Sequence, residues 1–263
     1  MIDQETRQRI AAALAAIEEQ ASVTIFYACE SGSRAWGFAS RDSDYDVRFL
    51  YAHPRDWYLT IHPGRDVIER PIDDVLDLSG WDIRKGLRLL QKSNPPFLEW
   101  MQSPIVYKDV PAVTALLRGA MPAYYSPISC LYHYLHMAEE NHRAYLKEEE
   151  VWLKKYLYVL RPILACMWIE QDLGLMPTEF DRLVDQIVTD APLRSAIEAL
   201  LLQKKAGFEI DRGPKIPIIS AFIDEQLARL SAEHARPSIT RDAGRLDEIF
   251  RQTLAILENP NMA

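Results

Sequence analysis

Apolar and polar positions along the chain fall into two regimes. Up to residue 110 short strands alternate with helices. Ile10, Leu14 and Ile17 recur at helical spacing and predict a helix over 3–20, with Asp3 placed to cap its start. Residues 23–28 form a β-prone run that ends at polar Glu30-Ser31-Gly32-Ser33. Residues 44–51 alternate as in a half-buried strand, with Asp44, Asp46, Arg48 and Leu50 on one face and Tyr45, Val47, Phe49 and Tyr51 on the other. Residues 67–70 and 75–78 predict two short strands around a turn at Pro71-Ile72-Asp73-Asp74. A helix over 82–92 follows, stopped by Asn94-Pro95-Pro96, and 105–107 predicts a last strand.

From residue 111 strand alternation gives way to helical stripes. These predict helices over 111–120, 127–147, 150–172, 178–189, 192–205, 215–232 and 239–257, punctuated at Gly174, Pro177, Pro192, Gly207, Gly213-Pro214 and Pro237. The expectation is an α+β chain: a domain over 1–110 built on a small mixed sheet with helices, then an all-helical domain over 111–263.

Composition narrows the function classes. Of 263 residues, 48% are hydrophobic and 26% charged, ordinary values for a globular protein. The formal charge of −8 argues against a general, charge-driven binder of nucleic acid or membrane surfaces, while a local basic groove stays open. Cys29, Cys130 and Cys166 are scattered and form no CxxC pair, which excludes a disulfide scaffold and a cysteine zinc site and fits a reducing compartment. No apolar run approaches the ~18 residues of a membrane span. The first residues lack the basic, apolar and small-residue order of a secretion signal, so the expected location is the cytoplasm, without a membrane partner.

The segment 31–48 carries the chemistry. Gly32-Ser33 is followed by ten residues and then Asp44-Tyr45-Asp46 at the start of the alternating strand. Period-two geometry puts Asp44 and Asp46 on one face, about 7 Å apart at ~3.4 Å per residue. Two carboxylates held so close repel unless a cation sits between them, and a pair of Mg²⁺ ions takes such a clamp. Gly32 lets backbone approach a phosphate, Ser33 can donate to one, and a short helix starting near Ser33 would add its amides. Asp is a poor strand former, so two at one strand's start argue for a purpose beyond a wetted face.

Gly-Ser-x10-Asp-x-Asp resembles the nucleotidyltransferase motif of the DNA polymerase β-like superfamily. The fuller pattern is Gly32-Ser33-Arg34-x-x-Gly37 with Ser43-Asp44-x-Asp46-x-Arg48. Further matches are Gly80-Trp81-Asp82-x-x-Lys85, Asn94-Pro95-x-x-x-Glu99-Trp100, Ser103-Pro104-Ile105-Val106-Tyr107 and Lys154-Lys155-Tyr156-x-Tyr158-x-x-Arg161-Pro162. Together they resemble the YcgL/RlaP-type branch, proposed to act in RNA repair. The resemblance covers about residues 24–172.

The resemblance implies a Mg²⁺-dependent nucleotidyltransferase with a cleft between two domains. It would move an NMP from an NTP to a hydroxyl, foremost on an RNA 3′ end or a tRNA end, and release pyrophosphate. Gly32 and Ser33 would hold the β/γ-phosphates, Arg34 would contact phosphate, and Asp44 and Asp46 would bind two Mg²⁺ ions. A third carboxylate would join them and activate the acceptor. Asp77 is favoured for it, because Leu76 and Leu78 face the core and Asp77 the other side; Glu69 and Asp82 are rivals, Asp82 also being a helix N-cap candidate. Lys154, Tyr158 and Arg161, at i, i+4 and i+7 of the predicted helix, would meet the triphosphate and a stacked base; a solvated basic face behind Glu148-Glu149-Glu150 is the alternative. His133 and His136 lack a carboxylate at matched spacing and do not signal zinc. Tyr124, Tyr125, Tyr132, Tyr134, Trp152, Tyr156 and Tyr158 form either a stacking surface or core. Alternative functions are nucleotidylation of a small molecule or protein, and nucleotide binding without catalysis. The oligomeric state is not encoded in any readable pattern.

Overall fold

The structure, a computed structural model, describes residues 2–71, 75–206, 212–231 and 242–259. In chain order its elements are α1 (Gln4–Ala21), β1 (Thr24–Glu30), α2 (Gly32–Ala35), β2 (Tyr45–Ala52), a 3₁₀ turn (Arg55–Leu59), β3 (Val67–Glu69), β4 (Leu76–Asp82), α3 (Ile83–Gln91), α4 (Pro95–Met101), β5 (Val106–Asp109) and α5 (Pro111–Tyr124). There follow α6 (Pro127–Tyr145), β6 (Glu150–Trp152), α7 (Lys155–Glu170), α8 (Phe180–Ile187), α9 (Ala191–Lys205), β7 (Arg212–Pro214), α10 (Pro217–Ser231) and α11 (Ala243–Glu258). The chain forms two compact units. One comprises Met1–Gly32, Asp44–Tyr125 and Thr240–Ala263; the other comprises Ser33–Ser43 and Ser126–Ile239.

The first unit is built on a five-stranded mixed sheet of order β3-β4-β2-β1-β5. Six of the seven residues of β1 are buried, as suits a central strand covered on both faces. β1 pairs antiparallel with β2 and β5, while β2 runs parallel to β4. On one face Ile10, Leu14 and Ile17 of α1 pack against Ile25, Val47, Phe49, Leu76 and Leu78. Burying an aliphatic side chain of this size contributes about 1.5–3 kcal/mol. Asp3 caps α1 by accepting from the Thr6 N–H at 2.8 Å, as its position suggests. On the opposite face α3 approaches so closely that a Cβ on Gly86 would lie 3.5 Å from Leu50 Cδ2.

Two local features of this unit differ from the sequence pattern. Asp44 precedes β2 instead of sitting on it. Asn94-Pro95-Pro96 ends one helix and begins another: the Asn94 side chain accepts from the Phe97 N–H at 3.2 Å and Pro95 occupies the first turn of α4. Of the predicted turn, residues 72–74 lie outside the described residues.

The second unit is helical apart from one small antiparallel ladder of β6 and β7. The helix expected over 150–172 therefore begins only at Lys155, because Glu150–Trp152 pairs with a segment some sixty residues downstream. Val and Trp suit a strand, and Gly213 opposite Val151 presents no side chain. Buried α7 is the centre of the unit, with eleven of its sixteen residues inaccessible. The predicted punctuation at Gly207 and Pro237, and the start of the helix expected over 239–257, lie outside the described residues. Among the described residues no helix is long and apolar enough to cross a membrane.

Candidate active site

In the first unit the candidate groups lie where β1 ends and β2 begins. Glu30, the last residue of β1, is wholly buried; its carboxylate accepts from the Asp46 N–H at 2.9 Å and from the Tyr107 hydroxyl. The Ser31 N–H donates to the Asp46 carbonyl at 2.8 Å. The chain then turns at Gly32 with φ of +57°. A Cβ there would lie 2.0 Å from Asp46 Oδ2, so only glycine allows this turn to sit against the carboxylate.

Asp46 on β2 and Asp77 on β4 are register partners on adjacent parallel strands. Arg48, two residues along β2 and therefore on the same face, bridges them. Its Nη2 donates to Asp46 Oδ1 at 2.9 Å and to Asp77 Oδ2 at 2.8 Å, and its Nη1 donates to the Asp77 carbonyl at 2.9 Å. All three side chains are less than one-third exposed.

The rival carboxylates are placed differently. Asp82 is wholly buried at the far end of β4, where it caps α3 through the Arg84 N–H at 2.8 Å and accepts from the Tyr58 hydroxyl at 2.6 Å. Burial pushes its carboxyl above the usual carboxylate range, against the downward pull of those two hydrogen bonds. Glu69 is exposed and paired with Arg65 at 2.7 Å. Asp44 is exposed, one residue before β2.

The donor chemistry near Asp46 suits Mg²⁺. Asp46 and Asp77 offer hard carboxylate oxygens on neighbouring strands, and the Arg48 guanidinium shows that a cation is accommodated between them. Among the described residues no three His, Cys, Asp or Glu side chains come together as a ready metal-binding group.

The second unit holds the remaining candidates. The chain enters it at Ser33, which is buried and whose carbonyl accepts from the Phe38 N–H at 3.0 Å. Arg34 Nη2 donates to the Ser43 carbonyl, closing the 33–43 excursion on itself. The Phe180 N–H donates to the Trp36 carbonyl at 2.8 Å. The Arg161 guanidinium lies over the Trp36 ring, 4.4 Å from its centroid, and donates to the Thr178 carbonyl at 3.2 Å. Arg161 is 1% exposed. Lys154, Tyr158 and Arg161, expected on one open stripe, thus occupy three environments: Lys154 is the exposed N-cap of α7, Tyr158 is half-buried, and Arg161 is core. Of the aromatic group, Tyr124, Tyr134 and Tyr156 are also core.

Tyr158 carries a cluster that the sequence pattern did not single out. It meets Trp36 and Phe38 edge-on, with centroids 5.7 and 5.8 Å away. Lys155 Nζ lies 4.8 Å and Lys204 Nζ 5.2 Å from the Tyr158 ring centroid, and Lys204 is also 4.9 Å from that of Phe38. Lys204 comes from α9 and is 6% exposed. Burial, reinforced by Lys154 and Lys155, pushes its ammonium down to about 8, with Asp42 offsetting part of the effect. Glu30 and Lys204 escaped the motif reading because neither belongs to it. The one sequence signal for Glu30 is an acid closing an otherwise apolar strand.

A sequence profile of the family described as "RlaP: RNA repair pathway DNA polymerase beta family" matches residues 6–252. The chain belongs to this family. It is 48% identical over 224 residues to YcgL, an uncharacterized protein of Bacillus subtilis (strain 168), a match covering 85% of this chain and 86% of that one. A solved structure of a nucleotidyltransferase-like protein from Exiguobacterium sibiricum aligns over 96% of this chain and 90% of its own, at 11% identity and a TM-score of 0.32. Family membership makes the chain a polymerase β-like nucleotidyltransferase in general kind and accords with its α+β architecture.

Proposed function

We propose that this RlaP-family chain transfers an NMP from a nucleoside triphosphate to a hydroxyl group, with an RNA 3′ end, including a tRNA end, as acceptor. The observation that carries the reading is the pairing of Asp46 with Asp77 on adjacent strands, with Gly32 against Asp46, in a chain of an RNA-repair nucleotidyltransferase family.

Asp44, Asp46 and Asp77 are the residues that would hold two Mg²⁺ ions, which when bound would neutralise the triphosphate and favour the alkoxide of the acceptor. Gly32, Ser33 and Arg34 bind phosphate oxygens. Asp77 takes the proton of the acceptor hydroxyl. That oxygen attacks the α-phosphorus, the bond from the α-phosphorus to its bridging oxygen breaks, and pyrophosphate leaves. Lys154 contributes charge toward the triphosphate and Tyr158 a face for the base. Arg161, enclosed by Trp36 and the Thr178 carbonyl, positions the 33–43 segment.

The test is incubation with Mg²⁺ and each α-³²P-labelled NTP, offering RNA with free 3′ hydroxyls, tRNA, protein and small hydroxyl compounds as acceptors. Label on RNA that is lost in Asp46→Asn and Asp77→Asn supports the reading. Label on protein or on a small molecule replaces the acceptor, and label independent of both carboxylates overturns the site. Nucleotide binding without transfer is the second reading; it is favoured by Arg48 filling the gap between Asp46 and Asp77. It would show as saturable NTP binding with no labelled product.

A further inference from the structure

Glu30 is a carboxylate standing where a backbone carbonyl would serve. A hydrogen-bonded pair of residues on antiparallel strands exchanges two backbone bonds. Just beyond Glu30 and Val47, the last register partners of β1 and β2, the Ser31 N–H donates to the Asp46 carbonyl at 2.8 Å. That is the first bond of such a pair. For the second, the Asp46 N–H donates at 2.9 Å to the Glu30 side chain, and the chain turns away at Gly32. Glu30 is wholly buried. Burying a carboxylate is costly, and a neutral acceptor would satisfy the same N–H at lower free energy. The segment Ser103-Pro104-Ile105-Val106-Tyr107, which has no part in the proposed reaction, surrounds this residue. Ser103 Oγ donates to the Glu30 carbonyl at 2.6 Å, the Glu30 N–H donates to the Ile105 carbonyl at 2.9 Å, and the Tyr107 hydroxyl donates to the Glu30 carboxylate. What the arrangement holds is Asp46. Its backbone is fixed by Glu30 and Ser31, its Oδ2 lies against Gly32, and its Oδ1 accepts from Arg48, which also reaches Asp77.

We propose that Glu30 is a positioning residue of the cation site: its carboxylate, steadied by Tyr107, pins the start of β2 so that the Asp46 side chain stays beside Asp77, and the affinity for a divalent ion depends on it. The inference rests on reading Asp46 and Asp77 as Mg²⁺ ligands in the proposed nucleotidyl transfer. Glu30 acts through Asp46, because its own oxygens are engaged by the Asp46 N–H and the Tyr107 hydroxyl. A ligand carboxylate held in place by outer hydrogen bonds binds an ion without first having to be ordered. Reach is the property that matters. Any carboxylate at position 30 would supply the same charge, but only a side chain as long as that of Glu or Gln brings an acceptor to the Asp46 N–H.

The experiment titrates the full chain with Mn²⁺, which takes the same oxygen ligands as Mg²⁺ and whose free ion is counted by electron paramagnetic resonance. Wild type, Glu30→Asp and Glu30→Gln are compared, together with ion-free thermal melts and the Mg²⁺ dependence of transfer. Glu30→Asp keeps the charge and draws the acceptor back by about 1.5 Å. Glu30→Gln keeps the reach and gives up the charge. Losing an outer partner of a metal ligand costs about 10- to 100-fold in metal affinity, so Glu30→Asp should weaken Mn²⁺ binding by that factor while Glu30→Gln stays near wild type. The Mg²⁺ concentration for half-maximal transfer should shift in the same order. A merely structural Glu30 would lower the ion-free melt of Glu30→Asp and leave its Mn²⁺ affinity unchanged, which overturns the proposal. Loss of affinity in Glu30→Gln also overturns it, since charge would then matter instead of position. Should Glu30→Asp fail to fold, Tyr107→Phe takes its place by releasing the Glu30 carboxylate from the hydroxyl: weaker Mn²⁺ binding supports the proposal and unchanged affinity overturns it. A wild-type chain that takes up no Mn²⁺ overturns it together with the metal assignment. Mn²⁺ affinity that depends on Glu30 in a chain that labels no acceptor keeps the positioning role and removes nucleotidyl transfer. Transfer with equal Mn²⁺ affinity in all three chains does the reverse.

Discussion

Gly32 lies directly against Asp46: a Cβ at position 32 would stand 2.0 Å from Oδ2 of that carboxylate. The turn also needs φ of +57°, a conformation that costs an L-residue about 1–2 kcal/mol. Gly32→Ala is therefore expected to lower the melting temperature by at least about 2–4 °C and to displace Asp46. Thermal unfolding, with nucleotidyl transfer measured on the folded fraction, checks this; an unshifted melt with full activity would show that the turn tolerates a side chain.

Arg48 separates Asp46 from Asp77, and its removal leaves two partly buried carboxylates side by side. Arg48→Met should destabilise the chain in the absence of divalent ions, and added Mg²⁺ should restore more of the melting temperature in this variant than in wild type. Melts with and without Mg²⁺ provide the reading. Equal Mg²⁺ responses would mean that Asp46 and Asp77 do not share a cation.

Asp77 and Asp82 lie on one strand and should behave oppositely. Asp82→Ala removes the cap of α3 and the acceptor of the Tyr58 hydroxyl, a loss of about 2 kcal/mol or more, while transfer per folded molecule persists. Asp77→Ala should abolish transfer with a much smaller change in melting temperature. Paired melts and radiolabel assays distinguish the two, and loss of transfer with Asp82→Ala alone would exchange the roles.

Burial first, and then the charges of Lys154 and Lys155, hold the Lys204 ammonium down to about 8 against an ordinary 10.5, with Asp42 pulling the other way. Below pH 8 the native and unfolded states are both protonated, and the burden of the buried charge is fully present. As pH rises from about 8 toward 10.5, the native state loses the proton first, so this group's contribution to stability improves. Wild type should therefore gain stability relative to Lys204→Met between pH 8 and 10, as melts across that range would show. A constant difference would place the Lys204 titration elsewhere.

The apolar stripe of α1, the alternation of β2 and of Leu76-Asp77-Leu78 at the start of β4, and the Gly-Ser-x10-Asp-x-Asp spacing were legible because each is a local pattern; the continuation of β4 to Asp82 was not, since a strand was expected only over 75–78. Asp46 and Asp77 were each visible as residues, but their adjacency was not. It depends on β2 running parallel to β4 in one register, and a shift of one residue would turn Asp77 to the other face. The helix expected from 150 gave way to β6 because its partner, β7, lies far along the chain.

By itself the sequence determined the mixed α+β architecture, the family, and the residue types available for phosphate and metal chemistry. Those follow from hydrophobic periodicity and motif spacing, which need no knowledge of distant neighbours. Only the tertiary structure decided that Arg48 stands between two carboxylates, that Arg161 is enclosed against Trp36, and that Lys204 reaches the ring of Tyr158. Each is a contact between side chains on different elements, fixed by strand register or helix packing that no single segment encodes.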